Sequence, residues 1–143
     1  MVEVQDVLEP NGPIQAGMFP ADTTEKALND RIQAYLDDGM ARVAAFRVAN
    51  PTTTLTDDAA VRAWASYRAF EARYFTLSTN PADVNLTDQG GRSYLQTQIN
   101  AFYNKAREFK AEYDGLLANS IPRGTENRRE SYGTVVVPTR FVL

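Results

Sequence analysis

The sequence predicts an all-α fold, with a body of three helices at about 22–50, 56–78 and 88–117. Two observations carry this prediction. Apolar residues recur at steps of three and four over long windows, which is the spacing of one face of a helix. Two of the windows also close on Asn-Pro, at Asn50-Pro51 and Asn80-Pro81, and the residue before a proline is driven out of the α region.

The first helix starts near Asp22 or Thr23, where Asp22 and Glu25 have the spacing of a capping box. Leu28, Ile32, Tyr35, Leu36, Met40, Val43 and Phe46 then trace one apolar face. The second helix is capped by Thr56 or Asp57, and its face includes Val61, Trp64, Tyr67, Phe70, Tyr74 and Leu77. The third starts near Asp88 and has the cleanest pattern in the chain. Leu95, Ile99, Phe102, Ala106, Phe109, Tyr113 and Leu116 alternate steps of four and three, a seam suited to packing against another helix. The expected core is Leu28, Ile32, Trp64, Tyr67, Phe70, Tyr74, Leu95, Ile99, Phe102, Phe109, Tyr113 and Leu116.

Residues 1–21 show no helical period and are expected to form an extended N-terminal arm. Within it Val2 and Val4 alternate like a short strand, and Pro10-Asn11-Gly12-Pro13 is turn chemistry. Residues 22–117 form the helical domain, and 118–143 form a C-terminal arm. That arm opens as a polar tether, 119–133, with Arg123, Arg128 and Arg129. It ends in a short β segment around Val135, Val136 and Val137, then Pro138, then Phe141, Val142 and Leu143. Pro138 cannot donate to a ladder, so a strand here lies at an edge or ends there. An uncovered strand of this composition is an aggregation hazard. Its economical use is docking on another chain by strand addition or groove filling. These arginines and apolar residues are the expected partner-binding set.

Composition narrows the function classes. The chain has no cysteine and no histidine, which removes disulfides, thiol nucleophiles, thiolate zinc sites and imidazole bases together. A non-enzymatic protein without a cofactor is expected. No apolar run approaches the roughly 20 residues that cross a bilayer, and the acidic start is unlike a basic secretory signal, so no membrane association is expected. The net charge of −3 is unevenly spread: residues 1–22 carry only acids, whereas 118–143 carry an excess of arginine. Arg outnumbers Lys twelve to three, a bias that favours fixed, bidentate ion pairs.

Three constellations have ordinary structural explanations. In Asp37-Asp38 and Asp57-Asp58, adjacent residues on a helix point about 100° apart and do not converge on one site. Gly90-Gly91 precedes a helix without a strand or a P-loop pattern, so it marks a turn. Between Trp64 and Phe75, aromatics alternate with Arg62, Arg68 and Arg73. That combination is also the stacking-and-charge platform of a single-stranded DNA-binding module, which stands as the alternative function and requires an exposed aromatic.

Two segments, Trp64-Ala65-Ser66-Tyr67-Arg68-Ala69-Phe70-Glu71-Ala72-Arg73-Tyr74 and Asp88-Gln89-Gly90-Gly91-Arg92-Ser93-Tyr94, resemble the head-to-tail connector proteins of tailed bacteriophages, also called adaptors or head-completion proteins. The similarity covers about residues 56–117. The resemblance implies a structural virion protein, assembled in the host cytoplasm and located at the head–tail interface. It implies a homo-oligomeric ring, commonly a dodecamer, that binds the portal protein on one side and a tail-side protein on the other. DNA would pass through its channel without sequence-specific binding. No catalytic residue carries over, and residues 1–21 lie outside the pattern.

Overall fold

A computed structural model describes residues 1–79 and 89–122. The chain order is α1 (Val4–Val7), a 3-10 turn (Ala16–Met18), α2 (Glu25–Ala49), α3 (Asp57–Thr79) and α4 (Gln89–Asn119). The described residues are mostly helical, as the periodicity predicts. Among them the β pairing is one isolated bridge between Leu8 and Ile14. The expected residue-80s connection and the C-terminal arm from Arg123 onward lie outside the described residues. That arm includes the predicted partner-binding set Arg123, Arg128, Arg129, Val135, Val136, Val137, Phe141, Val142 and Leu143.

Helix α2 begins later than its expected cap. Thr24 adopts extended backbone and its hydroxyl accepts the Ala27 N–H at 3.1 Å, satisfying one of the orphan donors of the first turn. Asp22 instead takes the Arg31 guanidinium, at 2.5 Å from Nε and 3.3 Å from a terminal nitrogen. The same guanidinium lies over the Phe19 ring at 4.7 Å. A two-pronged ion pair at this point fixes the chain entering α2. At the other end, both the backbone N–H and the side-chain amide of Asn50 donate to the Phe46 carbonyl, and Pro51 prevents continuation.

Helix α3 lies between α2 and α4 and packs on both. Ala60, Val61, Ala63, Trp64, Ala65, Ala69 and Phe70 are buried, which covers more than one face of the helix, as expected for an element with neighbours on two sides. Its seam with α4 is a ladder of rings: Trp64 on Tyr113 at 4.9 Å, Phe70 on Phe109 at 5.4 Å and on Phe102 at 5.8 Å, and Tyr74 on Tyr103 at 5.2 Å. The pairing order shows that the two helices run antiparallel. Of the expected core, Leu28, Ile32, Trp64, Phe70 and Tyr113 are buried. Tyr67, Tyr74, Leu95, Ile99, Phe102, Phe109 and Leu116 are only half-buried, because α4 rests on α3 while α2 lies on the far side of it.

The N-terminal stretch is not an extended arm. Val2, Val7, Ile14, Met18 and Phe19 are buried in the common core, with Val7 and Ile14 at 0% exposure. Backbone bonds Glu9 N–H to Ile14 O (2.8 Å) and Ile14 N–H to Val7 O (2.9 Å) close the Pro10–Pro13 turn on itself. Gly12 is required there, since a Cβ would sit 2.3 Å from the Val7 carbonyl carbon. Burying each large aliphatic side chain is favourable by about 1.5–3 kcal/mol, and this gain outweighs an extended chain in water.

The C-terminal end of α4 is tied down as well. Thr54 N–H donates to the Ser120 carbonyl at 2.7 Å, and the Thr53 and Ser120 hydroxyls lie 2.5 Å apart. The start of the expected C-terminal arm, 118–122, therefore belongs to the body. A test of the folded N-terminus is Ile14→Ala, which should destabilise the protein by about 2–5 kcal/mol in urea unfolding. An extended solvated arm would give no change.

Candidate functional site

The closest polar cluster joins α2 to α3. Trp64 is 5% exposed, and its indole N–H donates to Asp38 Oδ2 at 2.7 Å. Arg68 donates to the same oxygen at 2.8 Å and Arg42 at 3.4 Å. The Arg42 guanidinium lies 4.1 Å from the Trp64 ring centroid, and that of Arg68 lies 5.3 Å from the Tyr35 ring. Gly39 makes room for this, because its Cβ position is already 3.3 Å from Trp64 Cδ1. Partial burial pushes the Asp38 carboxyl up. The hydrogen bonds from Trp64 and Arg42 and the charges of Arg42 and Arg68 outweigh that and hold it below the ordinary carboxylate value. This cluster locks α2 to α3.

Two clefts flank the α3–α4 seam. The first, about 390 Å³, is lined by Arg62, Ser66, Phe109 and Glu112 and is closed by Asp6 and Gly12 of the folded N-terminus. The second, about 400 Å³, opens on the other side of the seam. Its floor is Ala106, 5% exposed, and its walls are Tyr67, Tyr74 and Tyr103. The Tyr67 hydroxyl donates to Glu71 at 2.6 Å. That bond, with burial and the nearby Glu71 charge, pushes the phenol up to about 12. On the α4 rim, Lys110 pairs with Asp114 at 2.9 Å, and Arg107 lies 5.7 Å from the Tyr103 ring. Phe75, Tyr94 and Tyr103 are 63%, 59% and 44% exposed. The apolar spacing did not single these out; Phe75 sits one position beside the seam residue Tyr74 and so points off the seam, whereas Tyr103 ends the ring ladder and keeps part of its ring open.

The three arginines interleaved with aromatics do not form one platform. Arg68 is held by Asp38, Arg73 lies over Phe102 at 5.9 Å, and Arg62 is exposed in the first cleft. Trp64, the stacking residue a single-strand binder would present, is buried. Among the described residues no group of three carboxylates could hold a metal ion, and no helix is long and apolar enough to cross a membrane. Comparison of the chain with protein-family models, curated proteins and solved structures gave no match.

Because the folded-state carboxyl of Asp38 titrates below its unfolded value, its contribution is complete above the ordinary carboxylate range and is lost as the pH falls through the folded value. Asp38→Asn should be less stable than the parent at pH 7, and the difference should shrink toward pH 3. Thermal unfolding followed by Trp64 fluorescence at both pH values checks this; a gap that does not shrink would remove Asp38 ionisation from the lock.

Proposed function

We propose that this chain is a head-to-tail adaptor of a tailed bacteriophage. It is a structural virion protein that forms a ring, a dodecamer by the resemblance, between the portal and the tail-side protein and continues the DNA channel. The observation that carries the proposal is the resemblance of 64–74 and 88–94 to adaptor proteins. Residues 64–74 form the stretch of α3 that packs on both α2 and α4. A ring subunit needs a rigid body that transmits contacts from one neighbour to the next, and the Asp38 lock and the Thr53–Ser120 tie make the helices one unit. A ring also requires two different contact patches per subunit. Exposed Phe75, Tyr94 and Tyr103 provide aromatic area of the kind enriched in the centres of interfaces.

With residues 1–19 folded onto the body, the reach outward falls to the C-terminal segment alone. Its Val135–Val137 and Phe141–Leu143 are the residues assigned to the portal or tail-side partner, with Arg123, Arg128 and Arg129 on the tether. The cut that isolates this role lies after Pro122, because Ser120 is a structural contact. Protein lacking 123–143 should keep its helical content and thermal midpoint yet fail to join portal-bearing heads to tails. Normal yield of tailed particles with that truncation would overturn the assignment. Mass measurement of the full chain with and without portal protein reads the ring directly.

A further inference from the structure

Helix α4 packs on α3 along the ring ladder, and half a turn away its outer face is uncovered among the described residues. On that face Ala101, Asn104, Glu108, Ala111, Gly115 and Ala118 recur at steps of three and four, a seam as regular as the one turned toward α3. All are exposed except Gly115, which is half-buried. We infer that this face is a two-fold contact with a second copy of the chain, in which the two α4 helices lie antiparallel and cross at the level of Phe109 and Lys110. The inference does not draw on the adaptor reading. A two-fold contact is isologous and closes at two copies, whereas a ring uses two different patches.

The order of charges selects that partner and that direction. Lys105 and Arg107 precede the midpoint of the seam, and Glu112 and Asp114 follow it. Seven residues are almost two turns, so Lys105 and Glu112 flank the seam on one side and Arg107 and Asp114 on the other. All four residues are exposed. With a second copy antiparallel, each Lys105 faces the other copy's Glu112, and each Arg107 faces the other copy's Asp114. A parallel copy would set like charge beside like. Within the subunit these groups are only partly engaged. Arg107 lies over the Tyr103 ring at 5.7 Å, Lys105 reaches Glu108 at 3.5 Å, and Asp114 takes Lys110 at 2.9 Å.

Small side chains let the two helices approach. In the antiparallel register Ala101 faces Ala118 of the second copy, Asn104 faces its Gly115, and Glu108 faces its Ala111. A glycine inside a helix costs about 0.5–1 kcal/mol relative to alanine, and a Cβ at Gly115 would meet nothing within 4 Å among the described residues. The subunit's own packing has no use for that glycine; a close second helix does. The seam from 101 to 118 is about 26 Å long at the helical rise. A single helix pair of this length lies at the small end of specific interfaces, which sets its dissociation in the micromolar range.

The test is a charge exchange read by mass. The parent protein should pass from monomer to dimer across the micromolar range in sedimentation equilibrium, and added salt should shift it toward monomer. Lys105→Glu with Arg107→Glu, and separately Glu112→Lys with Asp114→Lys, should each weaken self-association about tenfold or more, since like charges then face each other. Mixed together, the two variants should associate again as a one-to-one heterodimer. All four positions are exposed, and unchanged circular dichroism of each variant checks that its helices are intact. A parent that stays monomeric across that range, variants that associate like the parent, or intact variants that fail to associate on mixing would each overturn the inference. Joining of heads to tails is read in its own assay, so this contact and the adaptor reading can fail independently.

Discussion

Because Trp64 sits where α2, α3 and α4 meet, burying it requires a partner for the indole N–H, and Asp38 is that partner. An unpaired N–H in this position would cost about 1–3 kcal/mol. Supplying a carboxylate solves that problem and creates a second one, since a partly buried charge needs its own counter-charges. Arg68 and Arg42 supply them from α3 and α2, and Arg42 then covers the indole face. The choice of glycine at position 39 follows from the same ring, because a larger side chain there would press on Trp64. One aromatic side chain thus fixes the identities of four neighbours on two helices.

From this lock the rest of the packing follows. With α2 held on one side of α3, α4 is left the other side, and the ring ladder from Tyr113 to Tyr103 sets its register. The N-terminal segment and the Thr53–Ser120 contact then close the ends of the body. The arrangement is asymmetric. Among the described residues, α3 is covered on two sides, whereas α4 is covered on one, with Leu95, Ile99 and Phe102 half-buried.

The long helices were legible because their signals are local: apolar spacing, cap residues, and Asn50-Pro51 as a stop. The first helix was placed two or three residues early because Asp22 has the chemistry of a cap, and nothing in sequence tells that Arg31, nine residues on, will claim it. The N-terminal fold was missed for a related reason. Val2, Val7, Ile14 and Met18 have no period, so they look like a chain with no face; what they share is burial in the common core, with the N-terminal helix packed on α2 and α3. Their density was the available signal, since a solvated arm has little use for so many aliphatic residues. The aromatic–arginine stretch on α3 was legible as a composition but not as a surface. Arg68 and Trp64 lie four residues apart and both turn inward to Asp38, while Arg62 points into the other cleft.

The folded N-terminus changes how the molecule can make contacts. Two free arms would each lose conformational entropy on docking, about 1–2 kcal/mol per residue ordered, and would need correspondingly large interfaces. With residues 1–19 already ordered in the body, that loss is borne in folding, where the burial of Val7 and Ile14 offsets it. Among the described residues, Phe75 on α3 and Tyr94 and Tyr103 on α4 then keep exposed aromatic area. The tie of Ser120 to Thr53 and Thr54 anchors the end of α4 against the turn between α2 and α3.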